Sequence, residues 1–473
     1  MLPGWTILLS ACAYILLLFA VASYGDRRSK RFGVPKAGRP VVYALSLAVY
    51  CTSWTYFGGV GLASVHGLEF LGIYIGPVLA FTIGMPLLRR IIELAKAEKL
   101  TSPADFIAAR YGKNSAVALL VAIISLVGSI PYIALQLKAV SDSVAAMVDP
   151  TAYGIGSGNL YFLDLALIVT LMMACFAVIF GTRHTDATEH QDGLILAVAM
   201  ESVVKLLALL TVGLAVVFLI FDGPADLWTK ASDNLLVASA LNYETPLARW
   251  LLLILLSGFA IIMLPRQFHV TVVENRTQSE QRKAIWLFPL YLVAINLFVL
   301  PIAVAGLILF GGSGNADLYV LQLPLNAALP VISLITFIGG FSAATAMVIV
   351  ESVALSIMVS NDIFMPIFLR RKLATSGGHR ADFARHLLRI RRAAIFIVLM
   401  LGYGYYRSAD SETGLASIGL LSFAAVAQIA PPLLGGLFWR RANARGAIAG
   451  MALGFIAWAY LLFLPSLGGT NNS

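Results

Sequence analysis

The stretch 41–65, VVYALSLAVYCTSWTYFGGVGLASV, is long enough to cross a bilayer but has the wrong middle for a passive anchor. Tyr50, Cys51, Thr52, Ser53, Trp54, Thr55 and Tyr56 put hydroxyls, a thiol and aromatics where hydrocarbon belongs, and Gly58, Gly59 and Gly61 follow. About 20 apolar residues suffice to span a membrane, so these polar groups serve something other than insertion. Polar or irregular backbone at membrane depth persists only where it is buried in protein or lines a wet cavity. The segment is therefore predicted to be a helix broken near Cys51–Trp54, offering backbone and hydroxyl oxygens to a small solute or ion.

The rest of the chain agrees with a membrane setting. Hydrophobic residues make up 59% and charged residues 12%, with a mean hydropathy of +0.87. Soluble domains carry about 25% charged residues. Twelve spans are expected, at 5–24, 40–65, 69–92, 115–147, 161–180, 193–221, 248–268, 284–310, 325–360, 393–407, 414–438 and 446–464. Of the 33 Lys and Arg, 28 fall in or beside alternate connections. That asymmetry is an orientation signal, with basic loops in the cytoplasm and both termini outside. The net charge of +9 thus reflects topology and not a nucleic-acid partner.

Several function classes are not indicated. The longest polar stretch, 370–392, is too short for a folded soluble domain. No Walker A, HExxH, CxxC or GxSxG pattern occurs. The GIGSGN of 154–159 lacks a preceding strand and reads as an external turn. Cys12, Cys51 and Cys175 all fall in apolar segments, which indicates no disulfide framework. Residues 1–24 lack a basic start and a small-residue cleavage site, so they read as a retained first span.

The runs 115–147 and 325–360 exceed one crossing and should tilt or project beyond it. The second and seventh spans carry interruptions: the polar centre above, and SGF at 257–259 with Pro265. They lie five spans apart. Interrupted helices at corresponding places of two halves point to an inverted-repeat transporter with its site at the midplane. In the loop KLTSPADFIAARYG, Ser102 suits an N-cap, Pro103 the first helical position and Asp105 the positive helix end. A short surface helix ended by Gly112 is predicted.

Ionisable groups inside spans are functional candidates by default. Lys138 and Asp142 share one helix face, as do Glu201 and Lys205. Each pair is either self-satisfied structure or part of substrate or proton coupling. Glu351 has no local partner in sequence, and Asp164 falls near the outer interface. Tyr132 and Gln136 sit one turn apart after Pro131, as site contacts or as packing between helices. His184 and His190 lie in a cytoplasmic loop, where hydrogen bonding that closes that side is expected in preference to metal binding.

The segments ALSLAVYCTSWTYFGGVG, LTSPADFIAARYG, PYIALQLKAV, GTRHTDATEHQDGLILAVAMESVVKL, LPRQFHVTVVEN and GAIAGMALGFIAWAYLLFLP resemble the sodium:solute symporter family. More closely, they resemble the transporter-like membrane module of CbrA-type bacterial sensor histidine kinases. The match covers residues 1–465. It implies an all-α integral membrane protein of a bacterial inner (plasma) membrane with a LeuT-type fold. Two inverted five-helix repeats, 40–221 and 248–438, would be flanked by extra helices 1–24 and 446–464, with a tail 466–473.

The resemblance also implies a solute site between the broken second span and spans four and seven. The candidate substrate contacts are Tyr50, Cys51, Thr52, Ser53, Trp54, Tyr56, Tyr132, Gln136, Gly258 and Phe259. In such symporters a sodium ion sits between the second and ninth spans, on backbone carbonyls and a pair of small hydroxyl residues. Here Ala346 and Met347 hold that register, with Ser342 and Thr345 the nearest hydroxyls. Cys51 also replaces a residue that is acidic in proline symporters. These departures weigh against Na+ and leave H+ coupling, or none, open, with Ser342, Thr345, Lys138, Asp142, Glu201 and Lys205 as candidates.

Family sensors continue through a thirteenth span into kinase domains, whereas this sequence ends at LPSLGGTNNS without a kinase motif. The expectation is a non-enzymatic sensory input module that recognises an amino acid or short carboxylate, from a longer or split kinase. Its partners would then be cytoplasmic kinase domains or a response regulator. The alternative is a stand-alone ion-coupled symporter. No catalytic residue, metal site or organic cofactor is expected.

Overall fold

A computed structural model describes residues 4–33, 38–148, 165–181, 190–366, 380–409 and 414–467, and among them the secondary structure is entirely helical. The first half comprises α1 (Gly4–Phe32), α2 (Pro40–Tyr50), α3 (54–66), α4 (67–81), α5 (Met85–Glu98) and α6 (Pro103–Arg110). It continues through α7 (Ser115–Val148), α8 (Leu165–Gly181) and α9 (Asp192–Ile220). The second half runs α10 (Leu247–Met263), α11 (Pro265–Val273), α12 (Gln278–Phe310), α13 (Pro330–Phe364), α14 (Arg380–Ser408), α15 (Leu415–Phe438) and α16 (Ala444–Leu467).

Among the described residues, eight helices are long and apolar enough to cross a bilayer, and the pair α10–α11 makes a ninth. Twelve spans were expected, and the count among the described residues is lower for identifiable reasons. Residues 54–81 form one helical run, but Gly67 takes φ 53°, a left-handed value at which the right-handed helix cannot continue. A Cβ there would also meet the Ala240 carbonyl oxygen at 2.5 Å. The run therefore belongs to two expected spans. Helix α2 is apolar but short because it ends at the break, α8 is described only over Leu165–Gly181, and the start of α14 is basic.

Both expected interruptions exist, one of them displaced. Helix α2 stops at Tyr50, and Cys51 is extended at φ −78°, ψ 97°. The seventh span bends by 57° between α10 and α11, at Leu264, with Pro265 opening the next helix. SGF lies inside the continuous α10. There Gly258 lies 3.6 Å, measured from an added Cβ, from the carbonyl oxygen of Gly76 on α4, so it serves close helix packing and not the break. Pro131 likewise leaves α7 continuous.

The core is organised around α13. Every residue from Gly339 to Met358 is buried, on all sides of that helix. A helix apolar around its whole circumference is one enclosed by others, and α13 packs against α7, α8, α9, α11 and α14. Helix α6 begins as expected but is not a surface helix: five of its eight residues, Pro103, Ala104, Phe106, Ile107 and Ala108, are buried. Ser102 Oγ accepts from Asp105 N at 2.9 Å, Pro103 opens the helix, and Gly112 follows its end at φ 72°.

Candidate functional site

The break between α2 and α3 is lined by side chains from four other helices. Helix resumes at Trp54 with a π turn over Trp54–Gly58, a geometry that recurs at functional sites. Gln136 on α7 answers the exposed backbone: its Oε1 accepts from Ser53 N at 3.1 Å and Ser53 Oγ at 2.6 Å. The Tyr132 hydroxyl lies 3.1 Å from Thr52 Oγ1, which in turn accepts from Trp54 N at 3.3 Å. On α9, Lys205 Nζ donates to the carbonyls of Ala48 and Cys51 at 2.6 and 2.5 Å.

An aromatic cluster covers this polar centre. The Tyr132 and Phe423 rings stack with centroids 5.9 Å apart and 3° between planes. Trp54 meets Phe423 edge-on at 5.0 Å. Gly419 on α15 leaves room for the Trp54 indole, since a Cβ there would overlap the ring.

Beneath Tyr132 lies a fully buried ion pair. Arg266, first turn of α11, donates from Nη1 to Glu351 Oε2 at 2.9 Å, and both side chains are 0% exposed. Ser129 Oγ donates to Glu351 Oε1 at 2.6 Å. The Arg266 guanidinium also sits 4.3 Å from the Tyr132 ring centroid, a cation–π contact. Among the described residues its Nε and Nη2 find no hydrogen-bond partner, and neither do Trp54 Nε1, Ser422 Oγ or the side-chain amide of Gln267. Buried polar atoms are nearly always paired, so these groups retain capacity for further polar contacts.

The sequence-derived residues divide. Cys51, Thr52, Ser53, Trp54, Tyr132 and Gln136 come together at the break. Tyr50 donates to the Ile73 carbonyl at 2.8 Å and Tyr56 to that of Thr336 at 3.1 Å, so both hydroxyls tie α2 and α3 to neighbours. Phe259 is partly buried packing on α10. Lys138 and Asp142 form a pair at 3.3 Å that lines a cavity of about 220 Å³ with Ala134, Tyr405, Tyr406, Arg407 and Ile418.

Glu201 and Lys205 do not pair with each other. Lys205 turns to the broken helix, while Glu201 Oε1 accepts from Thr345 Oγ1 at 2.7 Å. Ser342 Oγ donates to the Glu201 carbonyl at 3.0 Å and accepts from the Tyr14 hydroxyl at 2.7 Å. The two hydroxyls considered for sodium are thus bonded to α9, and Ala346 and Met347 are buried apolar packing.

His190 Nδ1 lies 3.3 Å from Glu274 Oε2, at the face that the charge pattern assigns to the cytoplasm. His184, Asp164, the GIGSGN turn and the tail 468–473 lie outside the described residues.

Sequence reasoning missed Arg266, Glu274 and Phe423. Arg266 was counted among loop cations; its position next to Pro265, at a helix interruption, was the available signal. Phe423 is an apolar residue in an apolar helix and gives none.

No family model matches the chain. By sequence it is similar to two symporters of Bacillus subtilis (strain 168), both described as uncharacterized. YodF is 25% identical over 443 residues, covering 90% of this chain and 81% of that protein. YhjB is 24% identical over 444 residues, covering 92% and 83%. By fold it is similar to a Na+-coupled sialic acid symporter in a substrate-bound outward-open state, with TM-score 0.65, 13% identity and 97% of each chain covered. It is also similar to the Eremococcus coleocola manganese transporter, with TM-score 0.51, 13% identity and 91% and 88% covered.

The chain is thus an all-α, multi-pass protein of the bacterial plasma membrane with the fold of LeuT-type secondary transporters. Both of these relatives by sequence are symporters. None of these four proteins is a sensor kinase, and the resemblance to CbrA-type sensors gains no support from them.

Proposed function

We propose that the chain is an ion-coupled secondary transporter of a small organic solute bearing a carboxylate, bound at the break between α2 and α3. The observation that carries this reading is Arg266. Glu351 engages Nη1 and Tyr132 covers the plane, yet Nε and Nη2 remain unpartnered in a fully buried position. A planar guanidinium with two unused donors matches a carboxylate in a bidentate fork. Trp54 Nε1, Ser422 Oγ and Gln267 would complete the polar contacts.

In this reading Trp54, Tyr132 and Phe423 form an aromatic lid over the break. The cavity of about 220 Å³ lies apart from it: Ala134, Lys138 and Asp142 recur every fourth residue, on a face of α7 turned away from Tyr132 and Gln136. The test is uptake into proteoliposomes of a panel of labelled amino acids, short carboxylates and sialic acid. At least one should accumulate in the wild type and be lost in Arg266→Lys. Uptake that survives Arg266→Lys unchanged would refute the carboxylate assignment.

A further inference from the structure

The broken helix already holds a cation. Lys205 is completely buried on α9, and its ammonium bonds two main-chain carbonyls, of Ala48 and Cys51, at 2.6 and 2.5 Å. Those oxygens lie on either side of the point where α2 ends. Among the described residues Nζ forms no ion pair: the carboxylate of Glu201, one turn earlier, accepts from Thr345. Nothing about a structural lysine calls for this arrangement, since a carboxylate would neutralise it better. Main-chain carbonyls at a helix interruption are instead the ligand type that binds monovalent cations in membrane transporters.

Sodium and the Lys205 ammonium carry the same charge and need the same oxygens, so both cannot occupy the place. The opposite wall confirms the substitution: Ser342 and Thr345 on α13 spend their hydroxyls on Glu201 and not on the break. We infer that the Lys205 ammonium stands in for the coupling cation at the helix break, and that its proton is the coupling ion. The second half of this inference rests on the transporter reading above; the first does not.

The step balances simply. Nζ gives its proton to a water molecule on one side, leaving a neutral amine that no longer holds two carbonyls by charge. Uptake of one proton from water on the other side restores the ammonium. The charged and titratable groups around Lys205 are Cys51 on the broken helix, Glu201 on α9 itself and Arg266 on α11; behind them stand Glu351 on α13, bonded to Arg266, Tyr14 on α1 beside Glu201, and Tyr291 on α12 near Cys51. Tyr291 donates to the Ser202 carbonyl at 2.7 Å and Tyr14 to Ser342, so neither competes for Nζ.

Two measurements test this without a solute. The first compares melting of the purified protein in sodium chloride and in choline chloride at equal ionic strength. Wild type and Lys205→Arg should melt alike in both salts, whereas Lys205→Ala should melt higher in sodium, because the vacated carbonyls accept the ion. Stabilisation of the wild type by sodium, or a folded Lys205→Ala protein indifferent to it, would overturn the inference.

The second measurement covers a Lys205→Ala protein that does not fold. With Cys12→Ser and Cys175→Ser, Cys51 is the sole thiol, and its buried position makes alkylation a report of break opening. Rates are compared between the Lys205 protein and Lys205→Arg from about pH 6 to about pH 9, a range in which arginine stays charged. The ratio should rise several-fold with pH, and a flat ratio would sink proton release from Lys205. An uptake panel that fails leaves both readouts intact, and their failure leaves the solute site intact.

Discussion

Arg266 and Glu351 meet at 2.9 Å with neither side chain exposed, and this pair joins the bend of the seventh span to the buried helix α13. Tyr132 extends the link, since Arg266 lies against its ring and its hydroxyl reaches Thr52 at the other break. The two interrupted helices are therefore connected through Tyr132, whose ring carries Arg266 and whose hydroxyl reaches Thr52.

The pair should be costly to break and cheap to replace. Arg266→Met or Glu351→Leu alone leaves a buried charge uncompensated, which costs about 3–5 kcal/mol. The double variant Arg266→Met/Glu351→Leu should recover most of that loss in denaturant unfolding in detergent. Additive losses would show that the two side chains do not act as a unit.

Gly419 sets the position of Trp54. Gly419→Ala adds a methyl where the indole lies and should displace the ring from Phe423. Overpacking of this kind costs about 1–3 kcal/mol, so the protein should still fold, with solute uptake strongly reduced. Trp54→Ala should lose uptake as well. Unimpaired transport in both variants would remove the aromatic lid from the site.

Much of this was legible in the sequence, for reasons that separate the hits from the misses. Polar residues at 50–56 announced the first break because nothing else places them in lipid, and the structure breaks at Cys51. Ser102, Pro103 and Gly112 act locally and were read correctly. Gly258 was ambiguous, because a glycine in a membrane helix serves a kink or a close approach equally well, and only Gly76 on α4 decides. Lys205 was assigned to Glu201 by helical spacing; its actual partners depend on where α2 ends beside α9, which no local pattern contains. The same holds for Arg266, whose burial follows from the 57° bend.

Lys138 and Asp142 should couple only weakly. Their side chains are 12% and 23% exposed at the cavity wall, so solvent screens the pair. A double-mutant cycle on stability should give about 0.2–1 kcal/mol. A coupling as large as that of Arg266–Glu351 would place them in a dry core.

Glu274 fastens the other end of the molecule, just after α11. Its Oε1 accepts from Gln191 N at 3.0 Å, His190 lies 3.3 Å from Oε2, and His269 Nε2 lies 3.5 Å from Oε1. Burial alone would push the carboxyl up, but the imidazoles of His190 and His269 and the Gln191 N–H outweigh it and hold the group below the ordinary glutamate range. A carboxylate depressed in the folded state contributes stability that is complete above its unfolded value of about 4.3 and is lost as pH falls through the folded value. Glu274→Gln should therefore cost about 1–3 kcal/mol near neutral pH, the price of removing a charge-assisted partner. Melting of wild type and Glu274→Gln from about pH 7 down to about pH 3 should show the two curves converging at the acid end. A gap that stays constant, or a wild type that gains stability on acidification, would show that Glu274 is not held ionised by its neighbours.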